Sequence, residues 1–420
     1  MRKKGFWGVM VLMLGLIILV GLIPISYAQT SPIKIGILNP YTGHSALHGT
    51  NFEKGARLYL KQIGYKVEGR PIELSAEDTE GKPEVGLVKA KRLVEGKGVH
   101  MLTGVVMTHV GYAMKPYIDA NKVPLLIATF VGAEELTHPP VSPYIYRISY
   151  CPSQIIGTAA DWGYRKGGWR KATAFSLDYA AGVEDNSCFS RNFKRLGGTI
   201  VQEMYAPFGT TDWSPYIAKI DKTINAVGGI IIGGECIKFL KQWREYGLQG
   251  KITIVLNGFE DNDLEAAGEA CLGVMAVRPW VISLDTPQNK AFVKGYLDEY
   301  NSPPYVAAER GFTAMHIISS VLKTVKGNIE DKEAFLKGLE KVDVKDTPRG
   351  RVRFDQYHHV IQDNHILKAR ETPKELAPKW GKYSWEVVDT YKDVDQFWPY
   401  TSDQYLSMPK LKTLKGTWAK

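Results

Sequence analysis

From residue 33 onward one local pattern recurs: a short run of β-branched residues, a loop, then apolar residues at helical spacing. Ile33-Lys34-Ile35-Gly36-Ile37-Leu38 is such a run, and Phe52, Ala56, Tyr59, Leu60 and Ile63 behind it share one helix face. Ile72-Glu73-Leu74-Ser75-Ala76 alternates as a strand does. Val85, Val88, Leu93 and Val94 carry another helix, and Met101-Leu102-Thr103-Gly104 and Leu125-Leu126-Ile127 read as strands. This is the rhythm of a parallel sheet with helices on both faces. It restarts near residue 170, where 172–176 reads as a strand and 183–196 as a helix stopped by Gly197-Gly198. Residues 230–232 and 252–256 then read as buried strands. The pattern predicts two doubly wound α/β units of similar size. Tyr146-Arg147-Ile148-Ser149 reads as a crossing between them, with Ala276-Val277-Arg278-Pro279 and Arg351-Val352-Arg353-Phe354 as two further candidate crossings. In such sheets ligands bind outside the carboxyl ends of the strands, so two units facing each other make a cleft.

The length of 420 residues agrees, since it exceeds what one compact core usually holds. Apolar residues at 44% and charged residues at 23% exclude a disordered or collagen-like chain and a polytopic membrane protein. The formal charge is +9, of which Arg2, Lys3 and Lys4 supply three. The remainder is mild and forms no basic block, so no nucleic-acid partner is expected.

Those three cations open a targeting pattern. Phe6 to Ile25 carry no charge, and Ser26-Tyr27-Ala28 sets small residues where a signal peptidase reads them. Residues 1–28 therefore read as a cleaved secretory signal peptide. The rival is an uncleaved anchor, because the run is just long enough to span a bilayer. No Cys follows the apolar run, so no lipid anchor is expected there, and a periplasmic or secreted protein follows. The four cysteines, Cys151, Cys188, Cys236 and Cys271, fit no zinc spacing. One disulfide, Cys236 with Cys271, and buried free thiols are both open.

Motifs for chemistry are missing. There is no GxGxxG after a strand, no GxxxxGK[ST], no HExxH and no GxSxG. His358, His359, Asp363 and His365 cluster near a predicted turn, which favours polar surface-loop residues over a metal site. Glu260, Asp261 and Asp263 lack the glycine and distal glutamate of a calcium loop and read as a solvated loop. Neither a cofactor nor a catalytic pair can be named, and the chain reads as a binder, not an enzyme. Residues 370–420 hold Trp380, Trp385, Trp398 and Trp418 among several prolines, and read as an extended tail packing its rings on the body, with a ligand or partner surface as the alternative.

The order of several short motifs resembles the branched-chain amino acid (Leu/Ile/Val) binding family of periplasmic solute-binding proteins, which serve ABC importers and have the type I periplasmic-binding fold. The likeness spans the chain from the mature start to about Phe354. It rests on Thr42-Gly43-His44-Ser45-Ala46-Leu47-His48-Gly49, Ala90-Lys91-Arg92-Leu93-Val94, the stretch 124–136, Tyr146-Arg147, Asp178-Tyr179-Ala180-Ala181-Gly182, Thr211-Asp212-Trp213-Ser214, Ala267-Gly268-Glu269-Ala270-Cys271-Leu272-Gly273-Val274 and the stretch 285–292. The resemblance implies two lobes joined by three crossings: 29–149 with 278–354, and 150–277 with 355–369, plus the extension 370–420. It implies a small-molecule solute and transient contact with permease subunits of an ABC transporter, and a monomer.

It also implies which residues line the cleft. Tyr41, Thr42 and His48 belong to the first loop. Met107 and Thr108 stand where the family places serines that hold a carboxylate, and Ala128 and Thr129 where a backbone N–H and a hydroxyl do the same. Tyr179 and Ala181, Glu235 after the Gly233-Gly234 pair, and Asn257 and Phe259 come from the second lobe. Two departures matter. Glu235 replaces the aromatic residue of amino-acid binders, and the acid that meets an ammonium group is displaced to Glu260. With His48 and Met107, the pocket could take a branched-chain amino acid or an aromatic or aliphatic acid. A periplasmic sensor, or an amide- or urea-type solute binder, is the alternative on the same fold.

Overall fold

The computed structural model describes residues 31–43 and 45–419; the expected signal peptide lies outside them. Strands β1 (Ile33–Asn39), β2 (Lys66–Val67), β3 (Arg70–Asp78), β4 (Met101–Gly104), β5 (Leu125–Ile127) and β6 (Ile145–Arg147) form a six-stranded sheet in the order β2-β3-β1-β4-β5-β6. Every pairing is parallel except the β2–β3 hairpin. Ile33, Ile35, Ile37 and Leu38 of β1 are fully buried on alternate faces, as a central strand covered on both sides requires. The rhythm legible in the sequence thus gives the expected α/β architecture.

The second sheet has nine strands. β7 (Lys171–Leu177), β8 (Thr199–Ala206), β9 (Ala226–Ile230), β10 (Thr253–Asn257) and β11 (Met275–Arg278) are its parallel part. β12 (Asp343–Thr347), β13 (Gly350–Phe354), β14 (Val360–Glu371) and β15 (Tyr383–Val394) extend it by antiparallel pairing. Two expectations change here. The stretch 343–354, assigned from the resemblance to the first lobe, hydrogen-bonds into the second sheet through β14. The segment 370–420, expected as an extended tail, includes the twelve-residue strand β15, whose alternation of Tyr383, Trp385 and Val387 with polar residues the aromatic count obscured. Beyond β15, Phe397 and Tyr405 are buried.

One helix pair fixes the first lobe's shape. Helix Ala46–Gln62 lies against helix Val306–Thr324, and the contact is backbone to backbone. A Cβ on Gly55 would overlap the Ala308 carbonyl, and one on Gly311 would overlap that of Phe52. Only glycine at both positions permits this approach.

Polar side chains knit the crossings together. Arg147, fully buried at the end of β6, donates from Nε to Nδ1 of His359 at 2.9 Å and from Nη2 to the Thr137 hydroxyl at 2.7 Å. His359 Nε2 meets Gln154 Oε1 at 2.9 Å, and Gln154 Nε2 donates to the carbonyls of Val360 and Val394. Arg349 forms a buried ion pair with Glu309 and also donates from Nη1 to the Ile148 carbonyl and Gln362 Oε1, each at 3.0 Å. The expected surface cluster of histidines is therefore structural. His359 sits in this buried network, His365 on β14 bonds Thr390, and His358 stacks on Tyr146. Among the described residues no group of three metal-ligating side chains gathers. Glu260, Asp261 and Asp263 form no solvated loop either: Glu260 and Asp263 make a capping box on helix Asp261–Ala267. All four cysteines are buried and free, so the Cys236–Cys271 bridge does not form.

The end of the chain touches both sheets' lobes. The Tyr405 hydroxyl donates to Glu134 and accepts from Ser153 at 3.0 Å. Lys412 pairs with Glu135 at 2.6 Å, on the first lobe. Arg191 reaches the Pro409 carbonyl, Lys415 pairs with Asp178, and the Trp418 indole donates to Ser187 at 3.3 Å, all on the second. Among the described residues no helix is long and apolar enough to cross a membrane.

Candidate functional site

The loops leaving the carboxyl ends of β1, β4 and β5 and those leaving β7, β9 and β10 are where parallel sheets place ligands. Several expected residues are engaged locally there. The Tyr41 amide donates to Asp78 Oδ1 at 2.9 Å and the Thr42 hydroxyl to Oδ2 at 2.7 Å. Burial works against the Asp78 charge, but these bonds hold its carboxyl below the usual range. Met107 and Thr108 are half-buried at the start of helix Thr108–Asn121. The Ala128 amide donates to the Gly104 carbonyl at 2.9 Å, so it is not free for a carboxylate. The Thr129 hydroxyl is buried and turned to Asn39 Oδ1 at 3.5 Å.

On the second lobe, Tyr179 is half-buried, packs edge-on against Phe208 and leads into helix Ala180–Arg195, whose first turn holds Ala181. Glu235 accepts from the Gly209 amide at 2.9 Å. Asn257 donates to Asp185 Oδ2 at 3.0 Å; burial nonetheless raises the Asp185 carboxyl to about 7. Phe259, expected in the cleft, is fully buried and edge-on to Trp385, because its apolar ring follows the core while its carbonyl accepts from Arg278. Arg278 Nη2 also pairs with Glu260 at 3.3 Å.

Of the expected set, His48 is the residue drawn into a new constellation. Its Nδ1 lies 3.0 Å from the Tyr305 hydroxyl, and its ring is 4.4 Å from that of Phe130. Arg310 joins the same rings: its guanidinium carbon is 4.2 Å from the Phe130 centroid and 5.3 Å from that of Tyr150. Tyr305 caps helix Val306–Thr324 and Arg310 lies one turn in, so the glycine contact that seats this helix also seats the arginine. Phe130, Tyr150, Tyr305 and Arg310 were missed in the sequence. Phe130 adjoins Thr129 in a stretch that carries the resemblance, and Tyr150 follows a crossing strand. Arg310 had no signal, since a charge within an apolar helix reads as solvated until the fold buries it.

The sequence profile described as periplasmic binding protein matches residues 32–373. A Leu/Ile/Val-binding protein homolog of Brucella melitensis is 28% identical over 355 residues, 81% of this chain and 88% of that protein. Among solved structures, an ABC transporter substrate-binding protein from Sphaerobacter thermophilus superposes with a TM-score of 0.81 at 29% identity, covering 87% of this chain and 99% of that one. A solute-binding protein of an ABC transporter from Rhodopseudomonas palustris, solved in complex with 3,4-dihydroxybenzoic acid, gives 0.77 at 25% identity and covers 87% and 98%.

Proposed function

The chain belongs to the periplasmic binding protein family, and from that premise we propose that it is the extracytoplasmic receptor of an ABC importer, closing on a small organic acid and handing it to a membrane permease. The observation that carries the choice of an acid over an amino acid is that three acids on the cleft loops are already engaged. Glu235 is bonded to Gly209, Asp185 to Asn257 and Glu260 to Arg278. An ammonium group would have to displace one of these partners. A carboxylate with an apolar or aromatic body has no such demand, and the rings of His48, Phe130, Tyr150 and Tyr305 suit that body. The dihydroxybenzoic acid complex of the Rhodopseudomonas relative supports the same class.

Closure is the physical route. Three crossings can turn without opening either core, and a solute shifts an open–closed equilibrium by its preference for the closed state. The test is a thermal-shift screen of the mature protein against benzoates, aliphatic acids and branched-chain amino acids. A solute at about 100 times its Kd stabilises by about 2.7 kcal/mol. Shifts with acids and none with leucine, isoleucine or valine support the reading; shifts with the amino acids alone reverse it.

A further inference from the structure

We propose that Arg310 is the anchor for the solute's carboxylate and that the solute is a planar aromatic acid, an inference that rests on the receptor reading above. Arg310 is 1% exposed, yet among the described residues its Nε and Nη1 have no hydrogen-bond partner. A buried guanidinium carries five donors and a full charge, and leaving it unmatched is costly unless an anion completes it. Among the described residues no carboxylate is hydrogen-bonded to it. Its sequence neighbour Glu309 is committed to Arg349 at 2.5 Å, and Glu260 to Arg278 at 3.3 Å.

The surroundings are unsettled in the direction an anion would correct. Burial first, then the nearby Arg349, lower the Arg310 guanidinium to about 10. A carboxylate matches the fork of a guanidinium with two parallel hydrogen bonds, which an amide or hydroxyl does not.

Ring geometry narrows the body of the solute. Phe130 and Tyr150 already offer their faces to the guanidinium, and His48 continues the aromatic wall beyond Phe130. A flat ring attached directly to the carboxylate lies along that wall in the plane of the fork. A branched aliphatic body does not.

The test uses titration calorimetry with benzoate, benzamide and leucine on the mature wild-type protein and on Arg310→Met. Benzamide has the shape of benzoate without its charge. The wild type is expected to prefer benzoate over benzamide by at least 100-fold. Arg310→Met is expected to lose at least thirtyfold in benzoate affinity, to bind benzamide as the wild type does, and to melt no lower than the wild type without solute, since an unmatched charge has been removed. Equal wild-type affinity for benzoate and benzamide overturns the anchor. So does a folded Arg310→Met that keeps the preference; in both cases the organic-acid receptor reading survives. A wild type that binds leucine but not benzoate overturns the anchor and also reverses the choice of an acid over an amino acid. A wild type that binds no organic acid or amino acid removes both. If Arg310→Met fails to fold, the wild-type preference decides alone.

Discussion

Arg147 donates its Nε proton to Nδ1 of His359 at 2.9 Å, joining the last strand of the first sheet to the turn that opens β14. The accepting nitrogen carries no proton, so His359 is the neutral tautomer with its proton on Nε2, directed at Gln154. Burial and the neighbouring Arg147 hold the imidazole far below its ordinary pKa. His359→Ala leaves a buried guanidinium nitrogen unmatched. A loss of about 3 kcal/mol is expected, read as a lowered urea midpoint with an unchanged slope.

Glycine at the helix contact is equally exacting. Gly311→Ala must push Phe52 and its helix away from helix Val306–Thr324. Overpacking of this kind costs about 1–3 kcal/mol. Because the same helix carries Tyr305 and Arg310, solute affinity is expected to fall along with the melting temperature. A variant with an unchanged melt would mean the helices separate freely.

Thr129→Val is expected to act on stability and not on affinity. Its hydroxyl is buried against Asn39, so the change removes a weak bond worth about 1 kcal/mol. Calorimetry and a denaturant melt on one sample distinguish this from a role in holding a solute. A tenfold loss of affinity would restore Thr129 to the site.

Much of the fold was legible because strand and helix periodicity are local properties, and β1, β4, β5, β7 and β10 announce themselves through short apolar runs; β9 was displaced, its strand running over Ala226–Ile230 where residues 230–232 were expected. The antiparallel extension was not, since β15 alternates rings with charges in a stretch rich in proline. The site was less legible still. His48 could be named from the motif that carries the resemblance, although it lies in the first turn of helix Ala46–Gln62 and not in the expected loop, but Phe130, Tyr150 and Arg310 come from three separate segments and meet only through the packing of helix Val306–Thr324. Burial, which decides whether a charge such as Arg310 is a solvated ornament or an unmatched group, is a property of the whole chain.

At the far end, the bonds differ in strength by their setting. Lys410 and Lys412 both reach Glu135 from exposed positions, and their joint replacement by alanine is expected to cost less than about 1 kcal/mol. Tyr405→Phe removes the donor to Glu134 inside the protein, and about 1–3 kcal/mol is expected. Melts of the two variants in the same buffer check the ranking.

The pH dependence follows from the acids near that bond. Burial raises the Glu134 carboxyl to about 7 and the Glu184 carboxyl to about 8, the latter helped by the charge of Glu134. Both are above their unfolded value of about 4.3, so the folded state holds protons that the unfolded chain has released. Stability therefore falls as pH rises between those limits, by up to about 1.4 kcal/mol per pH unit for each group. Buried His138 and His365, lowered by burial to about 3 and about 4, oppose this only below about 6.5, where unfolded histidine takes up a proton. The melting temperature of the solute-free protein is expected to rise from pH 8 to pH 6.5 and then level off. An unchanged melting temperature over that interval would show the acids ionised in the fold.

Because residues 405–418 are fastened to Glu134 and Glu135 on one side and to Asp178, Arg191 and Ser187 on the other, this end segment is mechanically in series with any change in the gap between the halves. Its Trp418 indole, resting on the second half, is thereby a built-in gauge. Its fluorescence should register occupancy of a pocket it never touches, and a bulky fusion at that end should blunt the reading.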